Sequence, residues 1–363
     1  MIDTFRLQNF KCFQDEKLAL RPLSLIVGGN GAGKSSFLQG LLLAHQAAST
    51  PTNYVRLNGP LGLDLGRAAD VLCQSGDVRS DLLLELTYKN GVTDVWELDA
   101  RSEDDLVLHI AKRPTSTERI DLTYLNAERV GPREVLDTDS VPSDAMTVGS
   151  RGEFTAQVLV ARERTDVIDG LLHPKLSENR KLGKQVEFWL QDIAPGIQIR
   201  AISLQETNIR ALRLKHGGVS TDWLRPPNIG FGISYVLPII VAGLLARPGS
   251  LFLVENPEAH LHPAGQSQMG RFLGTLAAAG IQVIVETHSD HVLNGVRLAA
   301  VDIQHPLHHA QIVVQFFHGD RSVNHHAQAI DVNARGGLSS WPVGFFDQSE
   351  KDLAAILEIR RRG

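Results

Sequence analysis

At 363 residues the chain is long enough to bury a large core and to form two or three lobes. Its formal charge of −5, from 36 basic and 41 acidic residues, excludes a strong overall basic field, although a local basic patch stays compatible with the composition. Two cysteines are too few for a disulfide framework, so we expect a cytoplasmic protein. The longest apolar stretch, 236–246, has 11 residues, which is too short to cross a bilayer about 30 Å thick, and we expect no membrane partner.

The first third of the chain predicts β-structure around one helix. Strands are expected at 4–10 and 17–20, and the turn-rich residues 50–80 indicate an irregular connector. Three later segments have strand length and are separated by an Asn-Gly turn and an acidic turn, which predicts an antiparallel meander: 82–88, 92–98 and 106–111.

A glycine-rich loop lies between these strands. Residues 28–35 read GGNGAGKS, a full match to G-x-x-x-x-G-K-[ST]. The apolar run 23–27 precedes the loop as a predicted buried strand, and a helical run follows at 37–43. Because strand, loop and helix follow each other as this motif requires, the segment predicts a phosphate-binding loop.

Each fixed position of that motif has a chemical role. Glycines at Gly28, Gly31 and Gly33 let backbone N–H groups turn toward phosphate oxygens, and the helix N-terminus adds positive potential. Lys34 is expected to reach the β- and γ-phosphates, and Ser35 to supply an oxygen to Mg²⁺. The chain is therefore expected to bind a nucleoside triphosphate.

After residue 131 the predicted order of helices and strands changes. Residues 131–152 indicate a loop, and two helices and two strands are expected after it, at 154–164, 178–193, 197–204 and 209–214. From residue 251 a βαβα alternation predicts parallel strands, with elements at 251–254, 265–279, 281–285 and 291–300. A hairpin (311–317 and 323–330), the aromatic segment 341–347, expected to pack between lobes, and a terminal helix end the chain.

Three segments after residue 225 carry polar groups where a nucleotide site needs them. The strand 251–254 ends in Glu255, a placement suited to holding Mg²⁺ opposite Ser35, and Glu258 follows near the expected γ-phosphate. The strand 281–285 leads to His288, which is expected to touch the γ-phosphate because functional groups of parallel sheets gather at the carboxyl ends of strands. In NIGFGISYVLP, residues 228–238, Ser234 is expected to cap an apolar helix whose N-terminus is an anion site.

In this order the segments resemble the ATP-binding-cassette (ABC) ATPases, in particular the soluble branch that includes the structural-maintenance-of-chromosomes (SMC) and RecF-like proteins. The similarity is greatest to ATPases related to the overcoming-lysogenisation-defect (OLD) family, on NFKCF, ENPEAHLHP and ETHSDHVLNGVR. The tail WPVGFFDQSEKDL resembles a bacterial subgroup whose C-terminal domain has no assigned function.

The resemblance implies an α/β P-loop NTPase fold of the ABC type. Its expected parts are a mixed or parallel core sheet, an antiparallel β lobe, a helical insertion and a small C-terminal α+β appendage. The expected domains are the N-terminal core with the antiparallel lobe, the arm lobe, the signature and switch segment, and the appendage: 1–130, 131–225, 226–300 and 301–363.

The resemblance also implies that ATP and Mg²⁺ lie between two subunits of a homodimer. One subunit would contribute its loop, Glu255 and His288, and the other would offer a signature segment to the γ-phosphate. The loop residues expected at the nucleotide are Gly28, Asn30, Gly31, Gly33, Lys34, Ser35 and Ser36. The signature residues expected there are Gly230, Gly232 and Ser234.

One position departs from the family pattern. The family usually places a catalytic glutamate directly after the magnesium carboxylate, where this chain has Asn256. An amide orients water but accepts no proton, so either Glu258 acts as the base or ATP serves mainly as a dimer clamp. We expect slow hydrolysis.

Several residues keep more than one interpretation. Gln74 is a candidate to link magnesium to the other lobe, and Lys11 either approaches phosphate or is solvated. His260 and His262 suggest a metal site, but no third ligand has suitable spacing.

The leading functional hypothesis is an ATPase whose ATP-gated dimer controls an effector protein from the same operon, in DNA maintenance or anti-phage defence. Nucleic acid is left open as a further partner. The alternative is a non-hydrolysing, ATP-bound scaffold that holds an effector silent. A small-molecule kinase is disfavoured because no segment indicates an acceptor pocket. A nuclease domain of the OLD type is not expected, since no D-x-D pair follows His288.

Overall fold

The computed structural model describes residues 1–73, 81–115, 120–203, 210–217, 222–228, 231–319 and 327–362. The strands are β1 (Ile2–Phe10), β2 (Phe13–Ala19), β3 (Leu23–Gly28), β4 (Tyr54–Arg56), β5 (Leu82–Tyr88), β6 (Thr93–Asp99), β7 (Val107–Lys112), β8 (Leu122–Leu125), β9 (Val135–Leu136), β10 (Ile197–Ser203), β11 (Arg210–His216), β12 (Leu251–Glu255), β13 (Gln282–Glu286), β14 (Ile312–Phe317) and β15 (Ala327–Asp331).

Eight α-helices complete the described ranges. They are α1 (Lys34–Ser49), α2 (Ala68–Val71), α3 (Thr155–Arg162), α4 (Leu182–Ile193), α5 (Phe231–Leu245), α6 (Pro263–Ala278), α7 (Asp290–Val301) and α8 (Gln348–Arg362). None of the helices in these ranges has the length and apolarity to cross a membrane.

The core sheet has the strand order β15-β14-β3-β13-β12-β8. All neighbours in it run parallel except the edge pair β14 and β15. The predicted parallel alternation after residue 251 is confirmed, because β12 and β13 pair in parallel and are each followed by a helix. The strand that leads into the glycine-rich loop, β3, lies between β14 and β13, so the loop emerges from the middle of the sheet.

Both faces of this sheet are covered, which explains the unbroken apolar runs in the sequence. On β12, Leu251 and Leu253 face a core shared with α1 and the antiparallel sheet, whereas Phe252 and Val254 face a core shared with α5 and α6. All four side chains are buried. Side chains therefore alternate between two apolar environments, and only the strand end carries polar groups.

A second, antiparallel sheet has the order β2-β1-β5-β6-β7-β4. The predicted meander is confirmed by the antiparallel pairs β5–β6 and β6–β7. A third, small sheet of order β10-β11-β9 packs with α3 and α4, in the region predicted as an insertion. The predicted helix at 178–193 begins later, at Leu182, because short turns occupy the preceding residues.

The C-terminal hairpin belongs to the core sheet, so the boundary predicted at residue 301 divides that sheet. β14 pairs in parallel with β3 over its whole length. The physical reason is burial: every residue of β14 is buried, including Gln315, as expected for a strand with two covered faces. Part of the predicted second strand of the hairpin lies in 320–326, outside the described residues, and β15 starts at Ala327.

The aromatic tail packs on the end of this hairpin. Phe345 is 1% exposed, and its ring lies 5.4 Å from that of Phe316 and 5.2 Å from that of Trp341. Trp341 itself is 57% exposed and lies under the guanidinium of Arg297. The expectation that these aromatics serve packing is confirmed for Phe345.

Candidate functional site

The glycine-rich loop connects the end of β3 to the start of α1. Gly28, Gly31 and Gly33 have φ values of 144°, 73° and 104°, which are strained for any residue with a side chain. A Cβ at Gly28 would collide with the carbonyl oxygen of Phe317 on β14. The glycine pattern is therefore required both by the turn and by the neighbouring strand.

Lys34, the first residue of α1, turns back into the loop. Its ammonium donates to the carbonyl oxygens of Gly28 (3.0 Å) and Gly29 (2.7 Å), and its side chain is 4% exposed. Burial lowers the pKa of Lys34, and the nearby Glu286 carboxylate opposes that effect. The cation is thus held at the inner wall of the loop, while Asn30 and Ser35 are exposed at its mouth and Ser36 is half-buried.

Glu286, the last residue of β13, is the carboxylate that meets the loop. The Ser35 hydroxyl lies 3.3 Å from each carboxylate oxygen, and the Lys34 ammonium lies 3.9 Å from Oε1. Burial raises the pKa of Glu286 to about 7, with a further contribution from the charge of Glu255, whereas Lys34 and Ser35 lower it. This residue was missed by sequence reasoning, although the end of a buried strand beside the loop is the signal that could have found it.

Glu255, predicted to stand opposite Ser35, has different partners. Its carboxylate accepts a hydrogen bond of 2.7 Å from the Tyr124 hydroxyl on β8 and a further one from the backbone of Ala127. Within the described residues no hydrogen bond or ion pair joins it to Ser35 or Lys34. The reason is the strand order, because β13 lies between β3 and β12 and its own end is the nearer one. Burial raises the pKa of Glu255, and the Tyr124 hydrogen bond lowers it.

Arg129 braces the end of β12 from the other side. Its guanidinium donates to four carbonyl oxygens in segments far apart in sequence, those of Asn126 (2.8 Å), Tyr235 (3.0 Å), Glu255 (2.6 Å) and Asn256 (2.6 Å). Arg129 is 2% exposed, and burial lowers its pKa to about 10. It connects β8, β12 and α5, a role that sequence reasoning did not predict for this arginine.

Glu258 bridges the segments that follow β12 and β13. One carboxylate oxygen accepts from the Thr287 hydroxyl and the other from the backbone N–H of His288, each at 2.8 Å. Burial raises the pKa of Glu258. Both oxygens therefore hold the segment that contains Thr287 and His288. The predicted role of Glu258 as a base stays a prediction.

Asn256 adopts a strained conformation, with φ of 44°, and its backbone N–H donates to the carbonyl oxygen of Glu286. Its side-chain oxygen is buried and has no hydrogen-bond partner in the described part of the chain. The Asn256 side-chain oxygen is therefore available to accept a hydrogen bond from a bound molecule.

His288 is exposed at the loop side of the sheet. It lines a cavity of about 270 Å³ together with Gly28 and Gly29 of the loop and with Phe346 and Lys351 of the tail. Burial and the Lys34 charge lower its pKa. A larger cavity, of about 740 Å³, lies between α3, α4 and β10 and contains none of the motif residues.

Ser234 does not cap α5, contrary to the prediction. The helix begins at Phe231, and Ser234 lies inside its first turn because the apolar pattern starts at Phe231 rather than at Tyr235. Gly232 packs against the segment after β12: a Cβ there would lie 2.6 Å from the carbonyl oxygen of His260. The structure thus gives Gly232 a packing role within its own chain.

The other residues predicted for the site either have packing and capping contacts or lie outside the described residues. Gln74 and Gly230 lie outside the described residues. Lys11 donates to Gln39 at 2.7 Å. His260 packs against the rings of Phe231 and Tyr235, and His262 caps α6 by accepting from the backbone N–H of Ala264.

The residues at the loop fit ATP and Mg²⁺ in chemical type. Buried Lys34 and the glycine backbone suit phosphate, and the oxygens of Ser35 and Glu286 suit a hard cation. No group of three or more His, Cys, Asp or Glu in the described ranges is arranged as a metal cage. That is compatible with Mg²⁺, which typically binds through one or two carboxylates together with nucleotide oxygens.

Family models match most of the chain in three parts. An "AAA ATPase domain" model matches residues 1–136, and a model described as "AAA domain, putative AbiEii toxin, Type IV TA system" matches residues 167–294. A model described as a protein of unknown function matches residues 307–356.

Individual relatives cover the chain less completely. The OLD nuclease of Thermus scotoductus is 24% identical, over 80% of this chain and 59% of that protein. The energy-coupling factor transporter ATP-binding protein EcfA2 of Streptococcus thermophilus is 33% identical, over 28% of this chain and 37% of that protein. The chain thus spans less than two thirds of the length of these relatives.

Solved structures that align with this chain include the SMC head domain of Thermotoga maritima, with a TM-score of 0.45 and 13% identity. The alignment covers 92% of this chain and 99% of that one. Another is the Smc head domain from Pyrococcus furiosus bound to the C-terminal domain of ScpA (TM-score 0.45, 12% identity, 99% of both chains).

The chain thus resembles ATPase domains of the AAA kind over residues 1–136 and 167–294, and it is similar to an OLD nuclease. The resemblance deduced from the motifs is confirmed, and so is the likeness of the tail to a domain without assigned function.

Proposed function

We propose that this protein binds ATP with Mg²⁺, hydrolyses it slowly, and uses an ATP-bridged homodimer to control an effector protein. The observation that carries the proposal is the arrangement at the loop, where buried Lys34 and exposed Ser35 meet the strand-end carboxylate of Glu286. A cation and a hydroxyl at a helix N-terminus, facing a carboxylate, suit a metal-bound triphosphate. Bound Mg²⁺ would neutralise charge on the phosphates.

Slow turnover follows from the groups available to activate water. Asn256 accepts no proton, and both oxygens of Glu258 already accept hydrogen bonds. Burial raises the pKa of Glu258, but the hydrogen bonds from the His288 backbone and from Thr287 stabilise the carboxylate anion and lower this pKa. They therefore make Glu258 a weaker base than burial alone would, which lowers the rate.

Phosphate release from the purified protein tests this step. If Glu258 is the base, Glu258→Gln retains ATP binding and loses turnover by about 10²–10⁴-fold, because proton transfer contributes that much. Asn256→Glu, which restores the family's usual residue, is expected to preserve or raise the rate. A Glu258→Gln protein with full activity and an unchanged melting temperature would show that the base lies elsewhere.

The non-hydrolysing scaffold is the second candidate. It is favoured by the same two observations, the amide at Asn256 and the hydrogen bonds that the Glu258 carboxylate already accepts. Phosphate release indistinguishable from that of a loop mutant, together with retained ATP binding, would select this candidate over the ATPase.

The ATP-bridged dimer requires the start of α5 to meet the loop of a second subunit. Gly232 and Ser234 lie in the first turn of that helix, and Ser234 is half-buried. Two equivalent contacts around a two-fold axis would form an isologous dimer with two ATP sites, whose stability depends on nucleotide through mass action.

Light scattering with a non-hydrolysable ATP analogue tests assembly. Wild-type protein is expected to dimerise, and Ser234→Arg to stay monomeric while still binding ATP. Mixing Ser234→Arg with Lys34→Ala should restore one composite site. Wild-type protein that stays monomeric with analogue, or a mixture that never pairs, would exclude the mechanism.

Control of an effector in DNA maintenance or anti-phage defence is the broadest part of the proposal. It is supported by the relationship to the OLD nuclease and by the model that names a putative toxin system. Co-purification of the protein with the products of neighbouring genes, with and without ATP, tests it. An ATP-dependent companion is expected, and nucleic acid in the eluate would identify a further partner.

A further inference from the structure

The C-terminal tail lies next to the glycine-rich loop, although the two segments are at opposite ends of the sequence. Strand β14 pairs in parallel with β3, and Phe316 on β14 is in register with Val27, the residue before the first glycine of the loop. The ring of Phe345 packs at right angles on that of Phe316, with 5.4 Å between the ring centroids, and Phe345 is 1% exposed. This contact holds the segment 344–351 beside the loop.

A cavity of about 270 Å³ lies between the tail and the loop. Its walls include Gly28 and Gly29 of the loop, His288 after β13, and Asp347 and Lys351 of the tail. Whole small-molecule sites begin at about 300 Å³, so this space is ample for one phosphoryl group. Because His288 is the residue expected at the γ-phosphate, a triphosphate bound in the loop would direct its terminal phosphate toward this cavity.

Lys351, in the first turn of α8, contributes a positive charge to the cavity wall. Its ammonium lies 2.7 Å from Oδ2 of Asp347, and its side chain is 50% exposed. The same Asp347 oxygen accepts the backbone N–H of Gly344 at 2.9 Å, so the carboxylate keeps a donor when the ammonium leaves. Exposed ion pairs of this kind contribute little stability, whereas an ammonium forms strong charge-assisted hydrogen bonds with phosphate. A phosphate in the cavity would therefore displace Asp347 from the ammonium.

We propose that Lys351 binds the terminal phosphate of ATP in its own subunit, and that Asp347 holds the ammonium when this phosphate is absent. The inference rests on the proposed binding of ATP at the loop. Lys34 is expected to reach both the β- and γ-phosphates, so it serves ADP and ATP, whereas Lys351 would contact ATP alone. Part of the segment 307–356, which matches a model of unknown function, would thus distinguish ATP from ADP.

Calorimetric titrations with ADP and with the non-hydrolysable analogue AMP-PNP, both with Mg²⁺, test the proposal. In Lys351→Gln, loss of a charge-assisted contact should lower AMP-PNP affinity about tenfold and leave ADP affinity within about twofold of wild type. Lys184→Gln is the matched control, because Lys184 is a helical lysine with a 58% exposed side chain that pairs with Glu187 at 2.9 Å. This control should change neither affinity.

Asp347→Asn separates a contact with phosphate from a structural role of the ion pair. The variant breaks the pair and removes an anion from the cavity, while its amide oxygen can still accept from the Gly344 N–H. If Lys351 binds phosphate, AMP-PNP affinity of Asp347→Asn should stay equal or rise, because the ammonium is released and a repulsive charge is gone. Losses of AMP-PNP affinity that are equal in Asp347→Asn and Lys351→Gln would mean that the pair only holds the tail, and would overturn the inference.

The same titrations in Ser234→Arg protein, which is expected to stay monomeric, test whether the contact forms within one subunit. The loss of AMP-PNP affinity caused by Lys351→Gln should persist there. A loss that disappears in this background would contradict the inference, as would Lys351→Gln protein that loses ADP and AMP-PNP affinity equally or loses neither. Wild-type protein that binds neither nucleotide would instead remove the proposed function and the inference with it.

Discussion

The ends of β12 and β13 lie side by side in the core sheet and carry the same residue type, but they are held by different parts of the molecule. Glu255 is bonded to Tyr124 on β8, and Glu286 meets Ser35 and Lys34 at the start of α1. The difference follows from strand order, since β12 has β8 as its outer neighbour and β13 has β3. Position in the sheet therefore decides which carboxylate contacts Ser35 in the nucleotide-free protein, and the predicted magnesium role of Glu255 stays a prediction.

The surroundings of the two strand ends differ in a second way. The β12 end is braced by Arg129, whose guanidinium satisfies four carbonyl oxygens and leaves that edge fixed. The β13 end faces a loop whose mouth is exposed and whose Lys34 ammonium donates to two carbonyl oxygens of the loop. The β12 end is therefore fixed by hydrogen bonds, whereas the β13 end is accessible to a charged ligand.

The largest expected effect is at the β13 side. Lys34→Ala should lower ATP affinity by about 10²–10⁴-fold, because charge-assisted contacts to two phosphates contribute about 1.5–3 kcal/mol each. Calorimetric titration with ATP measures it. Lys17→Ala, at an exposed lysine paired with Glu85, is the matched control and should leave the affinity unchanged. Equal affinities of Lys34→Ala and wild type would contradict the site.

The largest effect at the β12 side should be on stability. Arg129→Ala leaves four buried carbonyl oxygens without their donor, so the free energy of unfolding should fall by at least about 3 kcal/mol. Urea unfolding followed by circular dichroism measures the change. Arg151→Ala, at an exposed arginine with one bond to a carbonyl oxygen, should cost about 1 kcal/mol or less. Similar losses in both variants would mean that Arg129 does not brace this edge.

A smaller effect is expected from the hydroxyl that holds Glu255. Tyr124→Phe removes a hydrogen bond of 2.7 Å to a buried carboxylate and should destabilise the protein by about 1–3 kcal/mol. Mn²⁺ affinity in the ADP complex should stay within about threefold of wild type if β12 only supports the site. A large loss of metal affinity without loss of stability would connect Glu255 to the metal after all.

A further effect is a dependence of stability on pH, to which Glu286 at the β13 end contributes. The folded protein holds a proton on Glu286 up to a pKa of about 7, whereas the unfolded chain releases it near 4.5. Because the folded state binds more protons in this window, the free energy of unfolding of the nucleotide-free protein should fall as pH rises from about 4.5 to 7, by at most about 1.4 kcal/mol per pH unit.

Urea midpoints of wild type and Glu286→Gln across this pH range measure that contribution. The variant lacks the titrating group, so its advantage over wild type should grow with pH. A difference between the two proteins that does not change with pH would show that Glu286 titrates alike in the folded and unfolded states.

Much of the fold was predictable because its signals are local. The strand–loop–helix around Gly28–Ser35, the meander β5–β7 and the alternation from β12 to α7 each follow from apolar periodicity and turn residues. The pairing of β14 with β3 was not predictable in this way, because it joins segments nearly 300 residues apart. Local patterns identify a hairpin but do not say which sheet it extends.

The start of α5 shows the same limit on a smaller scale. Glycines followed by a serine suggested a cap, but Phe231 already begins the helix and Gly232 is needed where the chain touches the carbonyl oxygen of His260. A glycine required for close approach and a glycine required at a ligand look identical in sequence.

The sequence by itself determined that this chain has a phosphate loop, that carboxylates follow its buried strands, and that Asn256 stands where a base is usual. These features depend on residues adjacent in the chain, whose chemistry and spacing are visible directly. Only the tertiary structure decided that Glu286 rather than Glu255 meets Ser35, and that Glu258 holds the segment of His288. The reason is that strand order and register are set by the packing of two cores against both faces of the sheet, and no single segment contains that information.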